Sequence, residues 1–504
     1  MKLCCKAAAA ILGIIVCCFG ELQAFAYTDM QSERNYTYNQ NGDAVYIPNA
    51  YEYAGAVSLA DLAGTKAKNP QDLYIDQDRN QYVADTDNNR ILILDKNNQF
   101  QNAISEIKAT DGTVSSLNRP QGIYVYPNGE LLIADTQNHR IVRCDRAGNA
   151  KKIIEKPADM TGIEEGTDFL PSKVACDSAG RINVIATNIN FGIVQLDSEG
   201  IFLSYIGAPK VQPDLFTLFW RKFSTETQKK RMVDFIATEY SNLYIDDADM
   251  IWGTISTLDI EAMANAIQSR DKSGSVTPIR VLNAMGNDIL MRNGQFAPMG
   301  DLSIVDAENE QITPSQIIDV AVGPGGIYSL LDKARGHIFT YDTNGNLLYV
   351  FGNYGMRKSD LLQPSAITYI GDTIAVLDAG LGKIQLYRPT SYGKMVVEAV
   401  TQQYEGNFDA ANALWIEIAG QNTNFAYAFV GLGNAQQSRK EYAAALDSYR
   451  FANDPESYSN AFILQRQQTL NIYFPIIFGV LLGIVVLLIL SALFKKFWRY
   501  YKGK

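Results

Sequence analysis

The sequence predicts a mainly β protein, a six-bladed β-propeller followed by a short α-helical segment and one C-terminal transmembrane helix. Three observations predict it. The phrase "ADTDNNRILILD" at residues 84–95 returns as "ADTQNHRIVRCD" at 134–145, and a phrase repeated at a fixed period marks repeated architecture. Around it, proline-led runs of alternating apolar residues are separated by turns such as Pro127-Asn128-Gly129 and Asn344-Gly345-Asn346, which is hairpin chemistry. Near the C-terminus, residues 475–494 run for twenty positions without a charge, enough for about 30 Å of helix.

At 504 residues the chain exceeds one ordinary core, and its 47% apolar content suits a folded protein of two or more domains. Residues 1–26 read as a signal peptide: Lys2 and Lys6 precede the apolar run "AAAAILGIIVCCFG", and Ala24-Phe25-Ala26 gives the small-x-small cleavage pattern. Residues 27–40 are expected to be a linker and 41–395 the propeller. Its units begin at Pro70, Pro120, Pro171, Ile317 and Pro364, with anchor residues at Asp85, Asp135, Thr187, Asp332 and Asp378. Steps of 50, 52 and 46 between anchors frame one gap of 145, wide enough for a fourth unit containing "SNLYIDDADMIWGTI" and "TPIRVLNAMGNDIL". That unit carries helical insertions at about 210–237 and 256–270. The strand-like "NAYEYAGAVSL" (49–59) precedes the first unit and is expected to complete the sixth blade, closing the ring.

Residues 400–470 turn alanine-rich and helical, and lead into the span at 475–494. Lys495, Lys496, Arg499, Lys502 and Lys504 follow it, which places the tail 495–504 in the cytoplasm by the positive-inside rule. The expectation is a single-pass type I protein of the cell membrane with its bulk extracytoplasmic. The formal charge is −10; setting aside a leader of net +1 and the five basic tail residues leaves about −16 for the exported part. Such a surface argues against a nucleic-acid partner. Four of the six cysteines lie in the leader, so no disulfide scaffold is expected, and Cys144 and Cys176 read as separate buried thiols.

The stretch "PQGIYVYPNGELLIADTQNHRIV" resembles the NHL repeat. Asp85, Asn88 and Arg90 in the first unit, and Asp135, Asn138 and Arg140 in the second, match its signature. In the fifth and sixth units His337 and Lys383 take the arginine place beside Asp332 and Asp378, and the third has Thr187 and Gly192. The resemblance implies a propeller rather than a reaction, with Asp and Arg tying strand ends together. In the helical segment Phe408, Ala411, Trp415 and Ile418 recur 34 positions later as Tyr442, Ala445, Tyr449 and Ala452, and Leu432-Gly433 lies between them. This resembles the tetratricopeptide repeat, which implies either a peptide- or protein-docking surface or a rigid stalk. The whole layout resembles bacterial membrane-anchored NHL proteins associated with carbohydrate-type ABC transporter genes. That implies an envelope binding or scaffold role, without a cofactor, and with protein partners at the membrane such as ABC transporter components.

Chemistry in the ring has little support from motifs. The chain has two histidines, His139 and His337, too few for a zinc site built from several imidazoles, and the sequence has no Gly-x-Ser-x-Gly elbow. No catalytic residue is assigned. A calcium or magnesium site needs only oxygen ligands, for which Asp246, Asp247 and Asp249 are weak candidates, because an acidic turn exposed to water is the simpler reading. The competing function is a lactonase-like hydrolase or lyase with a divalent metal in the central channel. For the binding function, the expected docking surface is the face carrying the two insertions.

Overall fold

The computed structural model describes residues 35–503 except 61, 63, 159, 161–162, 164–165, 208–238, 257 and 303–313; the proposed signal peptide and the first helical insertion lie outside the described residues. Six blades radiate from a central channel, each an antiparallel sheet whose first strand is innermost. The first blade runs through Asp72–Ile75, Gln81–Asp85, Arg90–Leu94 and Phe100–Ile104, and the second through Pro120–Val125, Leu131–Asp135, Arg140–Cys144 and Ala150–Ile154. The third starts at Pro171–Cys176, the fourth at Asn242–Ile245, the fifth at Ile317–Val322 and the sixth at Pro364–Ile370. Strand Tyr51–Ser58 pairs with Lys383–Pro389 as the outer strand of the sixth blade, so the ring closes with a strand from its other end.

The turns follow from a short phrase, Asp-x-x-Gly-x, at the strand ends. In "DRAGN" Asp145 accepts the N–H groups of Ala147 and Asn149, both at 2.9 Å, and Gly148 takes the left-handed conformation at φ 82°. Asp177, Asp197 and Asp342 build the same turn. Blades are tied to each other by hydroxyls: Thr86 Oγ1 donates to Pro120 C=O and Thr136 Oγ1 to Pro171 C=O, both at 2.7 Å. Ser365 Oγ donates to Pro70 C=O at 2.8 Å, joining the sixth blade to the first.

Three placements in the blades and at their edges differ from the sequence reading. Pro171 pairs with Ala186 where Pro120 pairs with Asp135, so the anchor position of the third blade is Ala186, one residue before Thr187. The fourth blade has three strands, ending at Ile279–Leu282, among the described residues. Beyond it the chain turns at Asn283, Ile289 N–H meets Val281 C=O at 2.7 Å, and the Asp288 carboxylate accepts the Val281 N–H. A side chain thus does part of the work of a fourth strand. Residues 36–38, expected in a linker, form strand Tyr36–Tyr38, which hairpins with Ala44–Tyr46 and pairs with the outer strand of the fifth blade at Val350. An open sheet edge offers unpaired backbone groups, and this hairpin covers it.

The helix expected near 256–270 is α1 (Ile260–Ser269), capped by the Asp259 carboxylate on Ala262 N–H. After the last blade the chain becomes helical at Ser391, earlier than residue 400, because the Thr390 hydroxyl caps Gly393 N–H. Helices α2 (Ser391–Tyr404), α3 (Phe408–Gln421), α4 (Ala426–Ser438) and α5 (Tyr442–Ala452) pack in succession. Helix α6 (Pro455–Lys502) then continues without a break through the apolar stretch, which is long and apolar enough to cross a membrane. Tyr392, Val396, Trp415 and Phe425 share one buried cluster with Tyr349, Phe351 and Tyr387 of the fifth and sixth blades. The first helices are therefore continuous with the propeller core.

Candidate functional site

In each blade the 1–2 and 3–4 turns lie at one end of the sheet and the 2–3 turns at the other, so the propeller has two distinct faces. The 2–3 face carries the repeat motif. Asp85 is fully buried; its Oδ1 accepts Lys68 N–H at 2.7 Å, and its Oδ2 accepts Asn88 Nδ2 at 2.9 Å and Arg90 Nε at 2.7 Å. Asp135 repeats this with Asn118 N–H, Asn138 and Arg140 at 2.7, 2.8 and 2.8 Å. Asp378 accepts Leu362, Gln363 and Leu381 N–H groups. Asp332 accepts Gln316 and Ala334 N–H groups at Oδ1 only. These residues hold strand ends to the preceding loop and have no reach into the channel.

The 1–2 face opens into a funnel of about 1150 Å³ at the channel mouth. Its floor comes from Asp72, Lys173, Asn242 and Asp319, which share one repeated position on the innermost strands; Gly122 and Ala366 hold that position in the second and sixth blades. Gly122 is required there, because a Cβ would lie 2.5 Å from the Ser172 carbonyl oxygen. Asp72 and Lys173 form an ion pair at 2.7 Å, and Asp72 also accepts Ile123 N–H from the next blade. Asp319 accepts Val320 N–H and, from the sixth blade, Ile367 N–H at 2.7 Å. Burial pushes the Asp319 carboxyl up to about 7, against the opposing pull of Lys173. Both its oxygens already accept backbone N–H groups, one from its own strand and one from the sixth blade.

Two residues up the same strands, Tyr74, Tyr124 and Tyr244 line the wall, with Tyr74 and Tyr124 edge-to-face at 5.4 Å. The rim is made of the 1–2 turns and is acidic: ten carboxylates line the funnel against Arg146 and Lys173, so the negative side dominates. Asp76, Glu130 and Asp177 are paired with Arg146, Arg143 and Arg181. Among the described residues Asp78, Asp145, Asp246, Asp247 and Asp249 have no ion pair.

The sequence candidates Asp246, Asp247 and Asp249 therefore sit on this rim, but not as a set of converging ligands. Asp246 accepts Ala248 and Met250 N–H groups and the Trp252 indole at 2.8 Å, whereas Asp249 accepts the Ser178 N–H at 2.8 Å and the Ser178 hydroxyl. Asp247 is exposed. Both histidines lie away from the funnel lining: His139 is half-exposed beside Asp168 at 3.5 Å, and His337 faces Asp301 at 2.9 Å. Cys144 and Cys176 are buried and unpaired, and burial pushes the Cys144 thiol up to about 12. Sequence reasoning missed the funnel walls, whose signal is the alternation Asp72-Tyr74-Asp76 on the first proline-led strand, with Tyr124 and Tyr126 at the matching places of the second.

In the helices Ala411, Trp415, Ile418, Ala445, Tyr449 and Ala452 are buried, with Phe408, Tyr442 and Leu432 partly so. A Cβ at Gly433 would lie 2.5 Å from the Tyr449 ring, and one at Gly431 2.4 Å from the Trp415 indole. The stack reaches the funnel side of the fifth blade, where Tyr427 donates a hydrogen bond to Asp342 and Gly325 packs under Thr401. Helix α1 follows a second strand and so belongs to the opposite face.

Residues 117–144 match the family model of the NHL repeat. No curated protein sequence matches the chain. Among solved structures, the chain is similar to virginiamycin B lyase from Staphylococcus aureus at 12% identity and a TM-score of 0.41, covering 67% of this chain and 99% of that one. A streptogramin B lyase is similar at 11% identity and a TM-score of 0.39, covering 68% and 100%. A protein of unknown function from Bacteroides thetaiotaomicron is similar at 11% identity and a TM-score of 0.41, covering 69% and 80%. The chain thus carries an NHL repeat within a six-bladed β-propeller that is followed by helices, one of them apolar enough to span a membrane.

Proposed function

We propose that this chain is a membrane-anchored, extracytoplasmic binding protein of bacteria whose funnel takes a cationic segment of a protein partner in the cell envelope. The observation that carries this reading is the funnel itself: about 1150 Å³, walled by tyrosines, with five rim carboxylates that have no ion pair among the described residues. A concave, low-dielectric wall focuses the field of such a rim on an approaching cation. Tyrosine faces then hold Lys or Arg side chains by cation–π attraction of about 0.5–1 kcal/mol each. The tetratricopeptide-like stack stands beside the funnel on the same face, and offers a second contact for the same partner. For this reason the binding surface is placed at the funnel and not at the insertion face. Helix α6 supplies the anchor, with the basic end inside by the positive-inside rule. Components of an ABC transporter are partners of the right location, and the role is accessory or scaffolding.

A lyase or hydrolase with a channel metal is the second reading. It draws on Asp319, whose carboxyl at about 7 has the poise of a general base, but the hydrogen bond it accepts from the sixth blade gives that group a structural duty. The test uses the full chain in detergent and a fluorescent octalysine peptide. Saturable binding that weakens steeply with salt is expected, and Asp78→Asn with Asp247→Asn should weaken it by about 2- to 10-fold, since each exposed charge contributes up to about 1 kcal/mol. Equal binding of an uncharged Gly-Ser peptide would rule the reading out.

A further inference from the structure

The fifth blade departs from the repeat in a way the propeller does not need. In the first two blades the outer oxygen of the anchor carboxylate accepts two donors, Asn88 Nδ2 with Arg90 Nε and Asn138 Nδ2 with Arg140 Nε. In the fifth blade Arg335 and His337 fall at those two places, and both turn away from Asp332. His337 Nδ1 lies 2.9 Å from Asp301 Oδ2, and Arg335 Nη1 lies 3.2 Å from the same oxygen. Asp332 has no exposed surface, and its Oδ2 is left without a hydrogen-bond partner. A buried carboxylate oxygen with no partner costs several kcal/mol unless something else satisfies it.

Beside the Asp332 carboxylate stand a second carboxylate and an imidazole. One ligand atom each from Asp301, Asp332 and His337 lies within 4.8 Å of the other two, and all three side chains are buried or nearly so. The Tyr36 and Tyr38 hydroxyls, from the hairpin that covers the blade, donate to Asp301 Oδ1 at 2.5 and 2.8 Å and fix its orientation. Asp301 itself comes from the segment after the fourth blade, and Ser315 Oγ accepts its N–H at 2.9 Å. Three separate parts of the chain therefore meet at one point, with a donor set that is one nitrogen and two oxygens.

We propose that Asp301, Asp332 and His337 bind a divalent transition cation of the zinc type. A mixed imidazole and carboxylate set suits zinc, whose ligands sit at about 2.0–2.2 Å, better than calcium, which asks for six or more oxygens. The cation enters between His337 and Asp301 and binds Nδ1 of the neutral ring; the proton shared there leaves Nδ1 for solvent, and the ring keeps its one proton on Nε2. Arg335 stays as the counter-charge on Asp301, and the tyrosines act on the site through Asp301 as positioning residues. The cation joins the N-terminal hairpin and the segment after the fourth blade to the fifth blade. Its role is structural, and it lies on the face opposite the funnel.

The experiment measures zinc bound per chain after equilibrium dialysis of the full chain in detergent, with melting temperature recorded with and without the metal. The expected result is one zinc more in the wild type than in His337→Arg, together with a melting temperature raised by zinc. His337→Arg restores the arginine of the first two blades, so it should melt at or above the metal-free wild type while losing the zinc response. Asp301→Asn should weaken zinc binding at least about tenfold. Equal zinc stoichiometry in His337→Arg, no zinc response in the wild type, or a response to calcium at the same concentration would each overturn the proposal.

Discussion

Charged residues of one type do very different work in this chain, according to how deeply they are placed. Arg90 is nearly buried and supports a fully buried carboxylate, whereas the pair Arg388–Glu52, at 2.8 Å, is exposed on both sides. Breaking a buried pair leaves an uncompensated charge and costs about 3–5 kcal/mol, while an exposed pair contributes about 0–1 kcal/mol. Arg90→Met should therefore lower the urea midpoint strongly and Arg388→Ala hardly at all. Similar shifts for the two variants would contradict the structural role given to the repeat motif. The pattern of this motif was legible in the sequence because Asp, Asn and Arg are spaced three and five apart on one turn. The Asp301–His337 contact spans 36 residues and Tyr36–His337 spans 301, so no local pattern announces either.

At the scale of elements, helix packing depends on small residues where large rings must fit. Gly431 and Gly420 are both helical, in α4 and α3, yet their surroundings are opposite. An added Cβ at Gly431 would meet the Trp415 indole at 2.4 Å, whereas at Gly420 it meets nothing within 4 Å. Gly431→Ala should destabilise the helical stack by about 1–3 kcal/mol through overpacking, and Gly420→Ala should stabilise it by up to about 1 kcal/mol through helix propensity. Hydrogen exchange of the α3 and α4 amides would read both effects, and a neutral Gly431→Ala would mean that the stack tolerates a wider helix spacing. The 34-residue spacing of aromatics and small residues singled out Trp415, Gly433 and Tyr449, because residues four apart on a helix share a face, but did not point to Gly431. The sequence reading placed the start of the stack nine residues late, since a threonine cap is a weak local signal beside the long run of strand patterning before it.

For the whole molecule, closure of the ring is the long-range event on which everything else rests. Val57, on the closing strand, is 7% exposed and packs between the sixth and first blades, while Val114 sits on a hairpin outside the ring and is 52% exposed. Val57→Asp buries a charge at the seam and should broaden unfolding and expose the seam to protease; Val114→Asp should do neither. A sharp, unchanged melt for Val57→Asp would show that the blades do not depend on the seam. The funnel exists only because the ring is closed. Its floor residues come from different blades, about seventy to a hundred positions apart, and each is unremarked in its own blade.

The sequence by itself determined the repeat, the six blades, the strand that closes them and the apolar helix at the end. Those properties are local or periodic: alternation sets strands, Asp and Gly set turns, and twenty uncharged residues set a helix long and apolar enough to cross a membrane. Only the tertiary structure decided which carboxylates face the funnel and which are consumed by turns, that the third anchor is Ala186, and that Asp332 keeps an oxygen without a partner. The physical reason is that these depend on where strands from different blades come side by side. Sequence spacing carries no record of that once insertions have broken the period.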